Sequence, residues 1–362
     1  MKIGIAARGL SEQSGGVKQY IESITSALLS VDKTNEYYVF HNNCNYTNNF
    51  LSAKNVILES QNKLIWDYYL LPKAVKKYNL DLIILPKTVL PFFIHTKSVI
   101  VVHDLAYFMP KLNAYPLIDS IYMKFMIKSS LKRTDHIISV SSNTKKDIIK
   151  IAGTDEAKIK VISEAADIKY RQITDKSNLN RIKDKYKLSD KYIFYSGSLS
   201  PRKNMIRLLI AYDKIKDKIP HKLVLTGGKS WDDEKVHELI AQLGDSVIKL
   251  GHVLDEDMPF IYNLADLFVY PSLYEGFGLP PLEAMACGCP VVASKSSSIP
   301  EVVGDAAIMI DPYNVDEIAD AMYSVLTDMN LNNSMIDKGL NRANIFSWEQ
   351  SAKHILELIK EI

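Results

Sequence analysis

Three observations predict an α/β protein made of two Rossmann-like parallel-sheet domains that face each other across a cleft. The chain has 362 residues, enough for two domains of roughly 150 to 180 residues each. Short apolar runs alternate with helical patterns in both halves, which is typical of parallel sheets covered by helices on both faces. A polar, poorly patterned stretch near residues 163–190 separates the halves and predicts the linker.

Runs rich in Val, Ile and Leu are typical of buried parallel strands, and apolar residues three or four apart are typical of helices. In the first half these patterns predict strands at 2–6, 37–41, 55–58, 81–85, 98–102, 136–140 and 158–162. They predict helices at about 17–29, 64–78, 116–131 and 143–151. We assign residues 1–170 to the first domain and 171–190 to the linker.

The second half repeats the alternation, and we assign residues 191–345 to a second domain. The predicted strands are 191–196, 222–226, 247–250, 267–270, 290–293 and 306–310. The chain closes with predicted helices at 315–326, 333–343 and 348–359. In open parallel sheets ligands bind outside the carboxyl ends of the strands, so the loops there should carry the chemistry.

Composition excludes several classes of function. The net charge of +2 gives no general attraction to nucleic acid. Three cysteines without metal spacing fit a reduced compartment. No apolar segment approaches the ~18 residues of a membrane span, and the N-terminus leads directly into a strand. We therefore expect a cytoplasmic protein, either a monomer or a loose dimer.

The stretch 272–290 combines a glycine loop, a helix start and two carboxylates. Gly276 and Gly278 let the backbone approach a ligand, and free N–H groups at the start of the next helix favour an anion such as a diphosphate. We place Glu275 at the mouth of the loop and Glu283 in the first helical turn. The two glutamates either complement the helix dipole or accept hydrogen bonds from sugar hydroxyls.

Three further loops follow predicted strands. Arg202 and Lys203 come after the strand at 191–196, where two cations would neutralise a leaving diphosphate, although a solvated helix start is the alternative. Gly15 and Gly16 follow the first strand, and a simple turn is the alternative there. His103 ends the strand at 98–102, and Asp104 beside it either orients the imidazole or caps the next turn.

Other patterns have simpler interpretations. Asp255 and Asp257, with Glu256 between them, form an aspartate pair. We interpret this pair as the cap of a short helix rather than as a metal site. Cys287 and Cys289 are interpreted as packing residues. The helix at 116–131 carries apolar residues on one face and lysines every four residues on another, which fits either a solvated face or a contact with anionic membrane lipid. The residues of the two faces are Ile118, Ile121, Tyr122 and Phe125, and Lys124, Lys128 and Lys132.

The run from Glu275 to Pro290 closely resembles the donor-site signature of the family 4 retaining glycosyltransferases, which have the GT-B fold. Pro201–Asn204 and Phe346–Trp348 also stand where that family would have them, and His103-Asp104-Leu105 resembles its mannosyltransferase-like branch. Many members place an arginine where this chain has Ser198, so diphosphate binding should depend more on Arg202 and Lys203.

The resemblance implies transfer of a hexose from a nucleoside diphosphate sugar, GDP-mannose being favoured over UDP or TDP sugars, to a glycan or lipid-linked glycan, with retention and without a metal or cofactor. A non-catalytic nucleotide-sugar binder or scaffold on the same fold is the alternative. A terminal helix at 346–362 is expected to return to the first domain. The implied catalytic residues are His103, Arg202, Lys203 and Glu275. The implied donor-binding residues are Gly16, Arg202, Lys203, Val253, Glu275, Gly276, Phe277, Gly278, Leu279 and Glu283.

Overall fold

The computed structural model describes residues 1–11, 15–112, 115–227 and 234–362, and the chain divides into two compact units. The first unit comprises Met1–Phe108, Tyr115–Glu164 and Ser347–Ile362. The second comprises Ala165–Phe346 together with the described residues of Met109–Ala114. Each unit contains its own parallel sheet and its own helices.

The first unit alternates strands and helices along most of its length. Its strands are β1 (Lys2–Ala6), β2 (Glu36–His41), β3 (Lys54–Ile57), β4 (Leu82–Leu85), β5 (Lys97–Val102), β6 (His136–Ser139) and β7 (Ile159–Val161). Its helices before the crossing to the second unit are α1 (Gly16–Val31), α2 (Lys63–Ile65), α3 (Leu71–Lys77), α4 (Leu117–Arg133) and α5 (Ser142–Ala152). A π-helical turn, Trp66–Leu70, joins α2 to α3.

The second unit follows the same plan. Its strands are β8 (Tyr192–Ser196), β9 (Lys222–Thr226), β10 (Val247–Gly251), β11 (Leu267–Tyr270), β12 (Val291–Ser294) and β13 (Ile308–Ile310). Its helices are α6 (Lys176–Tyr186), α7 (Met205–Asp213), α8 (Glu234–Leu243), α9 (Met258–Leu264), α10 (Leu279–Ala286), α11 (Ile299–Val303), α12 (Val315–Thr327) and α13 (Met329–Ala343). The last helix of the chain, α14 (Trp348–Lys360), belongs to the first unit and packs against α1 there.

The two sheets have the same strand order. Within the described residues the first sheet runs β3-β2-β1-β4-β5-β6-β7 and the second β10-β9-β8-β11-β12-β13, and each recorded strand pair is parallel. The order reverses between β1 and β4 in one unit and between β8 and β11 in the other. Loops that leave neighbouring strands on the two sides of such a reversal diverge and open a crevice at the carboxyl edge of the sheet. The predicted class of two Rossmann-like parallel-sheet domains is confirmed.

Burial explains why the strands could be read from the sequence. β4, β11 and β12 are buried along their whole length because helices cover both faces of each sheet, so they appear as continuous apolar runs. The stretch 171–190 behaves differently. It contains α6. The sequence pattern did not predict this helix because Ile182 is the single buried residue of α6, so the helix has almost no apolar face. Asp175 starts this helix by accepting hydrogen bonds from the N–H groups of Ser177 and Asn178.

Candidate functional site

The glycine loop of the second unit joins β11 to α10 as predicted. Gly278 occupies the N-cap of α10 with φ of 123°, a backbone conformation that residues with a Cβ rarely adopt. Pro280 lies in the first turn, where its missing N–H leaves no hydrogen bond unmade. Glu283 lies in the second turn and not in the first, because the helix already begins at Leu279.

Glu275 meets Arg202 and Lys203 at the reversal of strand order. Arg202 and Lys203 follow β8, Glu275 follows β11, and these two strands are neighbours. The Lys203 Nζ lies 2.6 Å from Glu275 Oε1, and Arg202 Nη1 lies 3.0 Å from Glu275 Oε2. The side chains of Lys203 and Glu275 are about nine-tenths buried. The carboxylate therefore binds two cations, and the group carries a net positive charge.

Two hydroxyl groups complete this cluster. Ser272 Oγ donates a hydrogen bond to Glu275 Oε1 at 2.5 Å, and Lys203 Nζ donates to the Tyr270 hydroxyl at 2.5 Å. Burial raises the pKa of Glu275, but the charges of Lys203 and Arg202 and the hydrogen bonds outweigh it and lower that pKa to about 2. Glu275 is thus ionised at neutral pH. Neither hydroxyl was identified from the sequence, since a Ser in a loop and a Tyr at the end of a buried strand carry no distinguishing pattern.

The loop backbone is fixed by a neighbouring turn. Ser297 Oγ accepts from the Glu275 N–H at 2.8 Å. Ser298 Oγ is within donor distance of two carbonyl oxygens, those of Glu275 at 2.9 Å and Phe277 at 2.7 Å. Both serines precede α11, so a loop after β12 holds the loop after β11. The stretch from Gly276 to Leu279 is buried, and the two serines hold the backbone at its start through Glu275 and Phe277.

Glu283 has an environment opposite to that of Glu275. Burial raises the pKa of Glu283 to about 7, although hydrogen bonds from Tyr262 and Tyr170 and the charge of Lys169 partly offset it. The Tyr262 hydroxyl lies 3.2 Å from Glu283 Oε2. The rings of Tyr262 and Tyr170 pack edge to face, with centroids 5.8 Å apart. This carboxyl group therefore takes up a proton at a much higher pH than Glu275 does.

The remaining predicted donor residues lie at strand ends. Val253 is buried two residues after Gly251, the last residue of β10, whose carbonyl oxygen accepts from Thr226 Oγ1 at 3.0 Å. Gly16 is the first residue of α1 in the first unit, and Gly15 before it has φ of 131°. Open space surrounds the position of an added Cβ at both glycines. The second unit therefore brings together Arg202, Lys203 and Glu275, while Gly16 lies in the other unit.

His103 directly follows β5 in the first unit, and both of its ring nitrogens are hydrogen-bonded. Nδ1 lies 2.9 Å from Glu164 Oε1 and Nε2 lies 3.1 Å from the Pro86 carbonyl oxygen. Asp104 caps the following turn by accepting from the Ala106 N–H at 3.0 Å. Of the two roles expected for Asp104, the structure therefore supports capping. Glu164, which the sequence analysis did not identify, holds the imidazole.

A cavity of about 360 Å³ lies beside His103 at the carboxyl edge of the first sheet. Its walls are apolar and aromatic over much of their area, with Trp66, Tyr68 and Tyr122 among them. Arg8 Nε donates to Asp67 Oδ1 at 3.2 Å within the same lining. Aromatic faces next to a paired arginine and carboxylate are a combination suited to a sugar ring with its hydroxyl groups.

The surface of α4 is unusually apolar. Ile118, Ile121 and Phe125 are 82%, 62% and 64% exposed, so one apolar face of this helix is directed to solvent and not to the core. Lys128, on the lysine stripe, is exposed as well, and its ammonium lies over the Phe108 ring at 5.8 Å. No described helix is both long enough and apolar enough to span a membrane.

Two minor predictions have different outcomes. Asp257 precedes α9 but does not cap it through its side chain. Its carboxylate instead accepts hydrogen bonds from Lys185 at 2.5 Å and from the Tyr186 hydroxyl at 2.7 Å, because α6 packs against α9. Cys287 and Cys289 are buried packing residues, as predicted, and burial raises the pKa of both thiols. Among the described residues no group of three or more His, Cys, Asp or Glu side chains is arranged to hold a metal ion.

Comparison with known families gives two matches. The family described as "Glycosyl transferases group 1" matches residues 177–342, and the family described as "Glycosyltransferase Family 4" matches residues 14–170. The chain is 36% identical over 244 residues to the O-antigen chain mannosyltransferase B of Escherichia coli, covering 66% of this chain and 64% of that one. It is 31% identical over 272 residues to the serotype-specific mannosyltransferase WbdA of E. coli, covering 72% of this chain and 33% of that one. The chain thus spans less than two thirds of either relative.

Solved structures share the fold over the full length. The crystal structure of Anabaena HepE in complex with UDP-glucose has a TM-score of 0.79 at 20% identity and covers 100% of both chains. The structure of WaaG, a glycosyltransferase involved in lipopolysaccharide biosynthesis, has a TM-score of 0.76 at 14% identity and covers 99% of both. At such identities the similarity establishes the GT-B fold alone.

Proposed function

Because this chain belongs to the family 4 glycosyltransferases, we propose that it transfers a hexose from a nucleoside diphosphate sugar to a hydroxyl group of a glycan or lipid-linked glycan. The observation that carries the proposal is the cluster of Arg202, Lys203 and Glu275 beside the N-terminus of α10. The positive charge of the two cations and the positive end of the α10 dipole there favour a diphosphate, although Pro280 and Pro281 leave few N–H groups in the first turn. Glu275 orients the two cations and takes part in holding the sugar.

The other donor contacts follow from the same loop. The backbone from Gly276 to Leu279 faces the sugar and phosphates. Glu283, in its ionised form, accepts hydrogen bonds from the ribose hydroxyls. Val253 and its turn contact the base. From the first unit, His103 contacts the hexose and Gly16 contributes the backbone at the start of α1.

We also propose that the reaction retains anomeric configuration and needs no metal. Arg202 and Lys203 supply the charge that a metal would otherwise supply when negative charge develops on the departing diphosphate. The leaving phosphate oxygen takes the proton of the acceptor hydroxyl, so no carboxylate is required as a base. A Glu275 pKa of about 2 is consistent with this, since such a weak base would not take that proton.

Mannose is the proposed hexose and GDP the proposed nucleotide. Two E. coli relatives that match 66% and 72% of this chain are named mannosyltransferases. The acceptor sugar is proposed to occupy the cavity of the first unit, where Arg8 and Asp67 are placed to bind its hydroxyl groups.

We propose that the protein is cytoplasmic and that α4 makes a peripheral contact with anionic membrane lipid. Exposed Ile118, Ile121 and Phe125 would enter the lipid interface, while Lys124, Lys128 and Lys132 would lie near acidic headgroups. Co-sedimentation with vesicles that contain phosphatidylglycerol tests the contact. Phe125→Ser should release the protein, whereas Leu51→Ser, at an exposed leucine in the same unit, should not. If Phe125→Ser and Leu51→Ser sediment equally with the vesicles, the proposed lipid contact of α4 is contradicted.

The experiment that tests the function is thermal unfolding with GDP, UDP, TDP and CDP in EDTA, followed by transfer from radiolabelled GDP-mannose to membrane lipid extracts. GDP at a hundred times its dissociation constant should stabilise the protein by about 2.7 kcal/mol. Glu283→Ala should lose this stabilisation, and Glu238→Ala, at an exposed site on α8, should keep it.

The outcomes separate the alternatives. Stabilisation by GDP with transfer of mannose supports the whole proposal. Stabilisation by a different nucleotide corrects the donor. Nucleotide binding without transfer to any extract favours a non-catalytic nucleotide-sugar binder, and no stabilisation by any of the four contradicts the donor site.

A further inference from the structure

The two ring nitrogens of His103 both face hydrogen-bond acceptors. The Pro86 carbonyl oxygen, 3.1 Å from Nε2, has no proton to donate, so Nε2 must carry one. The Glu164 carboxylate, 2.9 Å from Nδ1, accepts a hydrogen bond from a second ring proton, on Nδ1. A doubly protonated imidazolium satisfies both contacts at once, whereas a neutral ring leaves Nδ1 and an ionised carboxylate as two acceptors in contact.

Two carboxylates, Glu164 and Asp104, supply negative charge near the imidazolium of His103. Glu164 follows β7 and its side chain is 6% exposed, while the His103 side chain is 18% exposed. Asp104 adds a second negative charge nearby. From α1 the Tyr20 ring meets the imidazole edge-on at a centroid distance of 4.8 Å, and burial keeps its phenol protonated by raising its pKa. Two cations, Arg8 and Lys87, line the cavity that His103 also borders.

We propose that Glu164 is a positioning residue that holds His103 as an imidazolium, with its Nε2–H as the donor that reaches the transferred hexose. This inference rests on the proposed function, in which His103 contacts the sugar. When the donor sugar binds, the Nε2–H, which donates to the Pro86 carbonyl oxygen in its absence, donates instead or in addition to an oxygen of the hexose. A charged donor gives a stronger hydrogen bond to that oxygen than a neutral one.

The direction of the His103 pKa agrees with this geometry. Burial of the ring lowers the pKa, but the hydrogen bond to Glu164 and its negative charge outweigh burial, so the pKa lies above its ordinary value of 6.5. The imidazolium is therefore present below this raised pKa and is lost as the pH increases through it. Without the charge of Glu164, burial would dominate and the imidazolium would be lost at lower pH.

Glu164→Gln separates charge from shape. The amide oxygen still accepts from Nδ1–H, but the negative charge is gone. With saturating GDP-mannose, GDP release by the wild-type protein should fall at alkaline pH, and in Glu164→Gln this fall should begin at least about one pH unit lower. Glu59→Gln, at an exposed glutamate in the same unit, should keep the wild-type profile.

Nitrogen NMR of the histidine rings makes the test independent of activity. In the wild-type protein both His103 nitrogens should give protonated shifts at pH 6.5, the ordinary pKa of the ring, with the signals assigned by their loss in His103→Gln. In Glu164→Gln the ring should lose one of its two protons at a lower pH than in the wild-type protein. A wild-type His103 ring that is already neutral at pH 6.5 overturns the inference whether or not the protein is a transferase.

Combining the variants tests whether Glu164 acts through His103. Once His103→Gln is present, adding Glu164→Gln should lower kcat no further, although each change alone lowers it. Additive losses, or an unshifted pH profile in Glu164→Gln, would show that Glu164 only supports the fold. A wild-type protein that releases no GDP contradicts the proposed function, and the NMR result then decides separately whether Glu164 holds the imidazolium.

Discussion

Lys203 Nζ lies 2.6 Å from Glu275 Oε1, although 72 residues separate the two in the chain. The pair is buried at the point where the strand order of the second sheet reverses. A buried cation and carboxylate stabilise each other only as long as both are present, because each alone would be an uncompensated charge. The loop after β11 and the cations that follow β8 therefore depend on one another for their positions.

Glu275→Gln should destabilise the second unit. The substitution keeps the shape but leaves Lys203 and Arg202 without their carboxylate, and breaking a buried ion pair costs about 3–5 kcal/mol. Urea unfolding measures the difference. Glu349→Gln, which removes the carboxylate of the exposed Lys353–Glu349 pair, serves as the matched control and should change stability much less, because solvent screens exposed pairs. Equal stabilities of the two variants contradict the prediction.

Glu275 should also determine part of the acid stability. Its pKa is lowered to about 2 from an ordinary 4.5, so its contribution to folding is complete above pH 4.5 and is lost as the pH falls towards 2. The free energy of unfolding, measured between pH 6 and 2.5, should fall less steeply in Glu275→Gln than in the wild-type protein. Parallel slopes would mean that Glu275 keeps an ordinary pKa.

Nucleotide binding should strengthen with increasing pH because of Glu283. Its pKa is about 7 in the unliganded protein, and ribose hydroxyls donate to the ionised form. Binding therefore releases a proton at pH 6, and below the pKa the affinity should increase by up to about tenfold per pH unit. Calorimetry with GDP-mannose from pH 5.5 to 8 measures both quantities, because its diphosphate has no terminal phosphate that would titrate in this range. Glu283→Gln, which cannot ionise, should bind weakly and equally at every pH.

Arg202→Ala should lower the transfer rate much more than it lowers stability. Glu275 keeps Lys203 as a partner, so the fold retains one buried cation next to the carboxylate. Loss of one charged group from the developing diphosphate costs about a hundredfold to a thousandfold in kcat. Arg181→Ala, at an exposed arginine on α6, is the control and should retain full turnover. Full turnover in Arg202→Ala as well would remove this residue from the site.

Gly278→Ala should strain the loop after β11. Gly278 has φ of 123°, and a residue with a Cβ in such a sparsely populated conformation costs about 1–3 kcal/mol. Gly16→Ala is a matched comparison, because Gly16 begins a helix without a positive φ and has open space around it. A lower Tm in Gly278→Ala than in Gly16→Ala is the expected result, and the reverse order contradicts it.

The sequence by itself determined the local elements. The apolar runs of β4, β11 and β12 identified strands because parallel strands are buried on both faces. The glycines and prolines around Gly278 identified the loop and the start of α10, since backbone conformation there depends on residue type. Glu275 and Glu283 were candidates because they flank a glycine loop, and Arg202 and Lys203 because they follow the predicted strand at 191–196.

Only the tertiary structure decided which of these groups meet and how they ionise. The pairs Glu275–Lys203, Glu164–His103 and Glu283–Tyr262 join residues 72, 61 and 21 positions apart. Their contacts follow from strand order and helix packing, which periodicity does not encode, and the pKa of each carboxyl group follows from the charges and burial that those contacts create. Two glutamates in one loop and helix, indistinguishable by residue type, thus have pKa values of about 2 and about 7.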